Sequence, residues 1–118
     1  MAFRFEKLDV WIDSIEYSRQ IYKITKNFPR DETFALADQL KRPASSIPAN
    51  IAEGSGSSSK KEFSHYLDIA SKSLYETVSH LYLAKQQNYI LEKDRFRLYN
   101  DAELLIKKIQ SFRKWLNK

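Results

Sequence analysis

The chain has 118 residues, of which 42% are hydrophobic, and its formal net charge is +5. A chain of this length and apolar content has enough hydrophobic residues to fill one core, which predicts a single domain over residues 1–118. The absence of cysteine excludes disulfides and thiolate metal sites. Two glycines and three prolines are too few for a many-turned β-sandwich or barrel, so an all-α fold is expected.

The first helix is predicted from about Asp9 to Asn27, where apolar residues recur at spacings of three and four. Asp9 is the expected N-cap, and Pro29 stops the segment because the residue before a proline disfavours the α region. The expected core seam comprises Leu8, Trp11, Ile15, Ser18, Tyr22 and Thr25, with a second apolar row at Ile21, Ile24 and Phe28.

The second helix is expected to be capped by Asp31 and to end at Gly54. Pro43 and Pro48 interrupt it, and each removes an amide donor and crowds the carbonyl four residues earlier. The apolar repeat nevertheless keeps its phase through both prolines, which favours one kinked helix over two pieces. That repeat comprises Phe34, Ala37, Leu40, Ala44, Ile47 and Ile51.

The third and fourth helices follow a short Gly- and Ser-rich loop at residues 54–59. Ser59 and Glu62 stand at capping-box spacing, so the third helix is expected to begin there and to run for about 25 residues. A turn at residues 88–93 leads to a fourth helix that runs almost to the C-terminus. Short connections place successive helices antiparallel, which predicts an up-down-up-down four-helix bundle, with the second helix kinked at Pro43 and Pro48.

The sequence contains no recognisable catalytic motif, neither a nucleophile elbow nor a phosphate-cradling glycine loop. His65 follows Glu62 by three residues, but no second Glu-x-x-His pair exists to build a bundle metal site, and His80 follows Glu76 by four. We therefore expect a protein that is not an enzyme and needs no metal or cofactor. No apolar signal core or membrane-length segment is present, so a soluble, cytoplasmic protein without membrane contact is expected.

The basic residues are the candidate nucleic-acid contacts, because a cationic surface suits polyanionic partners. The candidates are Lys60, Lys61, Arg19, Lys23, Lys26, Arg30, Lys41 and Arg42, and the last helix adds Lys107, Lys108, Arg113, Lys114 and Lys118 at its acid-free end. The helix dipole alone accounts for cations near helix C-termini. It does not account for Lys60 and Lys61, although exposed lysines also keep a bundle soluble.

Several aromatic residues fall outside the expected core seams. These are Tyr17, Tyr66, Tyr75, Tyr82, Tyr89 and Trp115. Such residues mark subunit interfaces more often than they stack on nucleic-acid bases, and both alternatives stay open.

The chain closely resembles a known family in four segments: Phe28-Pro29-x-x-Glu32, Gln39-Leu40, Ser46-Ile47-Pro48-Ala49-Asn50-Ile51-Ala52-Glu53-Gly54 and Ala70-x-x-Ser73-Leu74-x-Glu76. That family is the four-helix-bundle proteins encoded in intervening sequences of bacterial large-subunit ribosomal RNA genes. The same bundle is similar to accessory proteins of diversity-generating retroelements, which form basic homopentameric barrels, contact nucleic acid and bind a reverse transcriptase.

The resemblance implies a homopentamer that associates with RNA or DNA. The family motif is expected to serve the architecture: Pro48 sets the kink, Asn50 and Glu53 satisfy freed backbone groups, and Gly54 ends the helix. Two functions follow as hypotheses. One is an oligomeric accessory protein that binds the nucleic-acid backbone, and the other is a scaffold that docks a partner enzyme such as a reverse transcriptase.

Overall fold

The computed structural model describes residues 2–118 and contains four α-helices. They are α1 (Asp9–Thr25), α2 (Leu36–Ser55), α3 (Lys60–Gln86) and α4 (Glu92–Leu116), with short 3₁₀ helices at Arg4–Lys7 and Arg30–Glu32. Each α-helix packs against the next one, and α4 returns to α1. The bundle measures 44 × 23 × 21 Å. The predicted all-α four-helix bundle is confirmed.

Helix α1 begins where predicted, but Asp9 is its first helical residue and not its N-cap, which is Leu8. The predicted core seam is confirmed at Ser18 and Thr25, and the second apolar row at Ile21 and Phe28, but the seam is wrong at Ile15 and Tyr22. Ile15 and Tyr22 are 44% and 43% exposed. The buried face comprises Val10, Ser14, Tyr17, Ser18, Ile21 and Thr25.

Small residues with hydroxyl groups occupy several core positions of α1, and Ser14 is the one among them that the predicted seam missed. The hydroxyl of Ser14 donates to the Trp11 carbonyl at 2.7 Å, and that of Thr25 donates to the Tyr22 carbonyl at 2.8 Å. Because these hydroxyl groups find acceptors inside the helix, small polar residues occupy core positions without an unmet hydrogen bond. A count of apolar residues alone does not detect such positions.

Helix α2 stays helical through Pro43 and Pro48, which confirms the prediction of one continuous helix. Its start was predicted wrongly. Asp31 lies in the second 3₁₀ helix, the N-cap of α2 is Ala35, and Phe34 is 94% exposed in the connection.

The family motif holds α2 against α3. Gly54 is buried inside α2 and does not end the helix, since α2 continues to Ser55. A methyl group at Gly54 would lie 2.7 Å from Tyr66 Cβ. The Tyr66 hydroxyl donates to the Glu53 carboxylate at 3.5 Å. The glycine therefore allows the two helix backbones to approach closely.

Asn50 has a different role from the predicted one. Its side-chain amide donates to the Ser46 carbonyl and to Ser46 Oγ, both at 2.8 Å. The carbonyls that lose their donors to the two prolines belong to Gln39 and Ala44. The prediction that Asn50 serves those freed groups is wrong.

Helix α3 begins as predicted, with Ser59 Oγ accepting from the Glu62 amide at 3.1 Å. The turn between α3 and α4 contains Asn88 at φ 62°, a left-handed conformation that asparagine tolerates. Within residues 2–118 no helix combines the length and the apolar character needed to cross a membrane.

Candidate nucleic-acid interface

The predicted basic residues separate into two surfaces toward opposite ends of the bundle. The start of α3 lies beside the ends of α2 and α4, whereas the end of α1 lies beside the start of α2. We call the first surface the basic end, comprising Arg4, Lys7, Lys60, Lys61, Lys107, Lys108, Arg113, Lys114 and Lys118. The second, the α1–α2 surface, comprises Arg19, Lys23, Lys26, Arg30, Lys41 and Arg42.

The α1–α2 surface is centred on Tyr22. The hydroxyl of Tyr22 is 2.7 Å from Ser45 Oγ, and Lys41 Nζ lies 5.7 Å from the centre of the Tyr22 ring. These contacts join α1 to α2 and place Lys41 near the helix-one stripe. Of the predicted residues on α2, Lys41 is therefore the one that these contacts place beside α1.

Acids neutralise part of the α1–α2 surface. Arg19 pairs with Glu16 at 2.8 Å, and hydrogen bonds from Arg19 lower the pKa of Glu16 to about 2. Arg42 pairs with Asp38 at 2.6 Å. Both arginines form ion pairs with carboxylates of their own helix, so fewer cations of this surface are available to bind phosphates.

The basic end gathers cations from three separate parts of the chain. The N-terminal 3₁₀ helix packs against α1 and α2, and its Arg4 guanidinium reaches α3, 5.1 Å from the centre of the Phe63 ring. Lys61 and Arg113 line one cleft between α3 and α4. A groove of about 560 Å³ between α1 and α4 is lined by Lys7, Lys107 and Lys108.

Many cations of the basic end have no acidic partner among residues 2–118. Arg4, Lys7, Lys60, Lys61, Lys114 and Lys118 take part in no ion pair within that range. Lys108 does pair with Asp13 at 2.8 Å, and the hydrogen bond raises the pKa of Lys108. Arg113 is held by Ser64 Oγ at 3.1 Å and Asp68 at 3.3 Å.

Lys60 and Lys61 are the members of the basic end whose positions the helix dipole does not account for. Both are exposed in the first turn of α3, where the partial positive charge of the helix terminus disfavours cations. Sequence reasoning missed Arg4 and Lys7 as members of this surface. Tertiary contacts reveal their positions, Arg4 against Phe63 and Lys7 in the groove with Lys107 and Lys108, and no local pattern encodes them.

The aromatic candidates have different environments. Tyr17 is 4% exposed and donates to the Leu98 carbonyl at 3.1 Å, so the proposal that it forms an interface or stacks on bases is wrong. Tyr75, Tyr82 and Trp115 are 68%, 46% and 61% exposed. Tyr66 and Tyr89 are half-buried.

An apolar groove follows the boundary between α3 and α4. Tyr75, Val78, Tyr99 and Ile106 line it, together with Glu103 and Lys107. Beside it, the buried Arg95 guanidinium lies 4.6 Å from the centre of the Tyr82 ring.

The two histidines lie apart from each other. His65 is exposed beside the cleft of Lys61 and Arg113, and His80 Nε2 is 3.6 Å from the Glu76 carboxylate. No group of three or more histidine and carboxylate side chains within residues 2–118 is arranged to hold a metal ion.

The fold and these surfaces define a four-helix-bundle protein with a strongly basic end. The chain belongs to the family of 23S rRNA-intervening sequence proteins, which matches residues 6–111. The description of this family names no enzyme activity.

The fold is similar to a crystal structure from Bacteroides thetaiotaomicron, described as a protein with unknown function from the S23 ribosomal protein family. The two chains are 30% identical, with a TM-score of 0.79, and the match covers 89% of this chain and 98% of the other. None of the curated proteins matches this chain.

Proposed function

We propose that this protein is an oligomeric accessory protein that binds RNA or DNA by the phosphate backbone, in the cytoplasm, through its basic end. One observation carries the proposal: three separate parts of the chain contribute cations without acidic partners to the same end of the bundle. When such cations neutralise phosphates, the counterions condensed on the nucleic acid are released. Their release contributes binding affinity that does not depend on base sequence. The family's association with a ribosomal RNA intervening sequence supports the same partner.

The oligomer is supported by exposed apolar residues on different sides of the bundle. Ile12 and Ile15 on α1 are 49% and 44% exposed, whereas Tyr75 on α3 and Phe96 on α4 are 68% and 59% exposed. Two unlike apolar faces favour a head-to-tail contact, and such contacts close into rings when the rotation permits. A homopentamer is the ring that the family resemblance implies.

A second candidate function rests on the groove between α3 and α4. Its apolar lining at Tyr75, Val78 and Ile106 suits an apolar helix of a partner enzyme, such as a reverse transcriptase. In that case the chain is a scaffold, and its basic character only keeps it soluble.

The two functions differ in how they respond to charge reversal at the start of α3. We would measure particle mass by light scattering, and affinity for a structured RNA and a duplex DNA by fluorescence anisotropy at several salt concentrations. Lys61→Glu should weaken both nucleic-acid complexes and make the fall of affinity with salt less steep, by about 0.7 to 0.9 in the log–log slope per lost phosphate contact. Glutamate in a first helical turn is favoured by the helix dipole, so this variant should fold normally.

Lys93→Glu is the matched control, because Lys93 and Lys61 are each the second residue of a helix, at opposite ends of the bundle. It makes the same change in net charge and should leave affinity nearly unchanged. Lys23→Glu/Lys26→Glu tests the α1–α2 surface in the same way. Equal loss from Lys61→Glu and Lys93→Glu would mean that only net charge matters, and absence of binding by the unaltered protein would favour the scaffold.

A further inference from the structure

Trp115 is the outermost of three aromatic rings that contact one another in turn at the basic end. The ring of Trp115 stacks on Phe112 with centroids 5.8 Å apart and planes 24° apart, and Phe112 meets Phe63 edge-on at 5.3 Å. The Arg4 guanidinium lies over Phe63. Phe112 supports one side of the indole, yet Trp115 remains 61% exposed, so a large, flat aromatic surface is held in place and open to solvent.

The surroundings of Trp115 are basic. Trp115 follows Phe112, Ser111 and Lys108 by three, four and seven residues on α4, which places all four on one side of the helix. Ser111 and Phe112 line the groove that also contains Lys7, Lys107 and Lys108. Along the helix axis Lys108 lies about 10 Å from Trp115, since each residue advances about 1.5 Å.

Carboxylates are also present at this groove. Asp9 lines it, Asp13 pairs with Lys108 at 2.8 Å, and Glu103 lies 3.9 Å from Lys107. A phosphate would therefore compete with Asp13 for Lys108. Lys7 has no ion-pair partner within residues 2–118, so it is the groove's free cation for a phosphate.

We infer that an unpaired nucleobase stacks on Trp115 while the adjoining phosphates contact Lys7 and Lys108, so that the ligand of the basic end is single-stranded nucleic acid. This inference rests on the proposed nucleic-acid function and specifies the class of ligand. An exposed indole beside lysines has both parts of a single-strand site, because every base offers an aromatic face and every nucleotide a phosphate. Bases inside a duplex are already stacked and present no free face to the indole.

The test compares a 12-nucleotide single-stranded RNA with an RNA duplex that carries the same number of phosphates. Trp115→Ala should weaken binding of the single strand by roughly tenfold, the usual effect of removing one stacked aromatic residue, and should leave duplex binding nearly unchanged. Trp115→Phe should retain part of the affinity. Phe34→Ala is the control, because Phe34 is an aromatic residue that is 94% exposed at the opposite end of the bundle, in the connection before α2.

The salt dependence separates stacking from a structural role of Trp115. Removing a stacking contact should lower affinity by the same factor at each salt concentration, because no phosphate contact is lost. Lys7→Gln should instead make the salt dependence less steep. Binding of the single strand should also quench the tryptophan fluorescence of the unaltered protein, and this quench should disappear in Trp115→Phe, which retains only Trp11.

Three outcomes would overturn the inference. If Trp115→Ala lowers particle mass but leaves single-strand affinity unchanged, the indole is a contact between subunits. If the protein binds single strand and duplex equally and Trp115→Ala weakens neither, the phosphate-binding function stands without a stacking site. If the unaltered protein binds no nucleic acid, the proposed function and this inference both fail.

Discussion

Gly54 and Tyr66 face each other across α2 and α3 so closely that a methyl group on Gly54 would lie 2.7 Å from Tyr66 Cβ and 2.8 Å from Phe63 Cδ1. Both neighbours belong to α3, and a Cβ atom is fixed to its backbone. Relief of the contact therefore requires the two helices to move apart.

Gly54→Ala should lower the free energy of unfolding by about 1–3 kcal/mol, the usual cost of overpacking a core. Alanine's better helix propensity, worth at most about 1 kcal/mol, opposes this but does not outweigh it. Denaturation by urea measures the difference. Gly56→Ala is the control, because the nearest atom to its added methyl group is 3.5 Å away. A variant Gly54→Ala as stable as the unaltered protein would show that α2 and α3 adjust without cost.

Asn50 gives a second stability prediction within the family motif. Asn50→Ala loses the hydrogen bonds to Ser46 and should cost about 1 kcal/mol. Asn50→Asp should cost more, because a carboxylate oxygen would face the Ser46 carbonyl where an amide donor now lies at 2.8 Å. This raises the pKa of the introduced carboxyl group, so the variant should regain stability below about pH 4, where the group is protonated in both states. Urea denaturation of both variants at pH 7 and pH 3.5 measures these stability losses. If Asn50→Asp loses as much stability at pH 3.5 as at pH 7, the prediction is wrong.

The fold was predictable from the sequence because the apolar repeats of α2, α3 and α4 coincide with the buried faces, as at Leu40, Leu74 and Ile109. The buried face of α1 was predicted only in part, because Ser14 and Tyr17 bury hydroxyl groups that find acceptors only in the folded chain.

The candidate site was predictable in part. The position of Lys60 and Lys61 in a first helical turn follows from the cap at Ser59 alone. Their proximity to Arg4 and Arg113 depends on two tertiary contacts, Arg4 with the Phe63 ring and Arg113 with Ser64 Oγ. Contacts between residues so far apart in the chain leave no periodic signal in the sequence.

Tyr17 gives a pH prediction. Its hydroxyl is buried and donates to the Leu98 carbonyl, and burial raises its pKa well above the usual value of 10. Because the folded state disfavours the phenolate, the contribution of Tyr17 to stability is complete below pH 10 and is lost as the pH rises further.

Tyr17→Phe should therefore be less stable than the unaltered protein by about 1 kcal/mol at pH 7, through loss of one hydrogen bond. Above pH 10 the difference should shrink by up to about 1.4 kcal/mol per pH unit, since phenylalanine does not ionise. Urea denaturation of both proteins between pH 8 and pH 11.5 makes the comparison. A constant difference over that range would mean that the phenolate is tolerated in the folded protein.

Tyr75 tests the oligomer at a residue that belongs to neither basic surface, although Lys107 of the basic end lines the same groove. It is 68% exposed at the centre of α3 and lines the apolar groove with Val78, Tyr99 and Ile106. If a second copy covers this groove, Tyr75→Lys places a charge in an apolar contact, and light scattering should show a lower mass and a concentration-dependent assembly. Phe34→Lys makes the same change at a residue that is 94% exposed in the connection between α1 and α2, and it should keep the native mass. An unchanged mass for Tyr75→Lys, with unchanged helix content, would leave the groove free for a different partner and would favour the scaffold hypothesis.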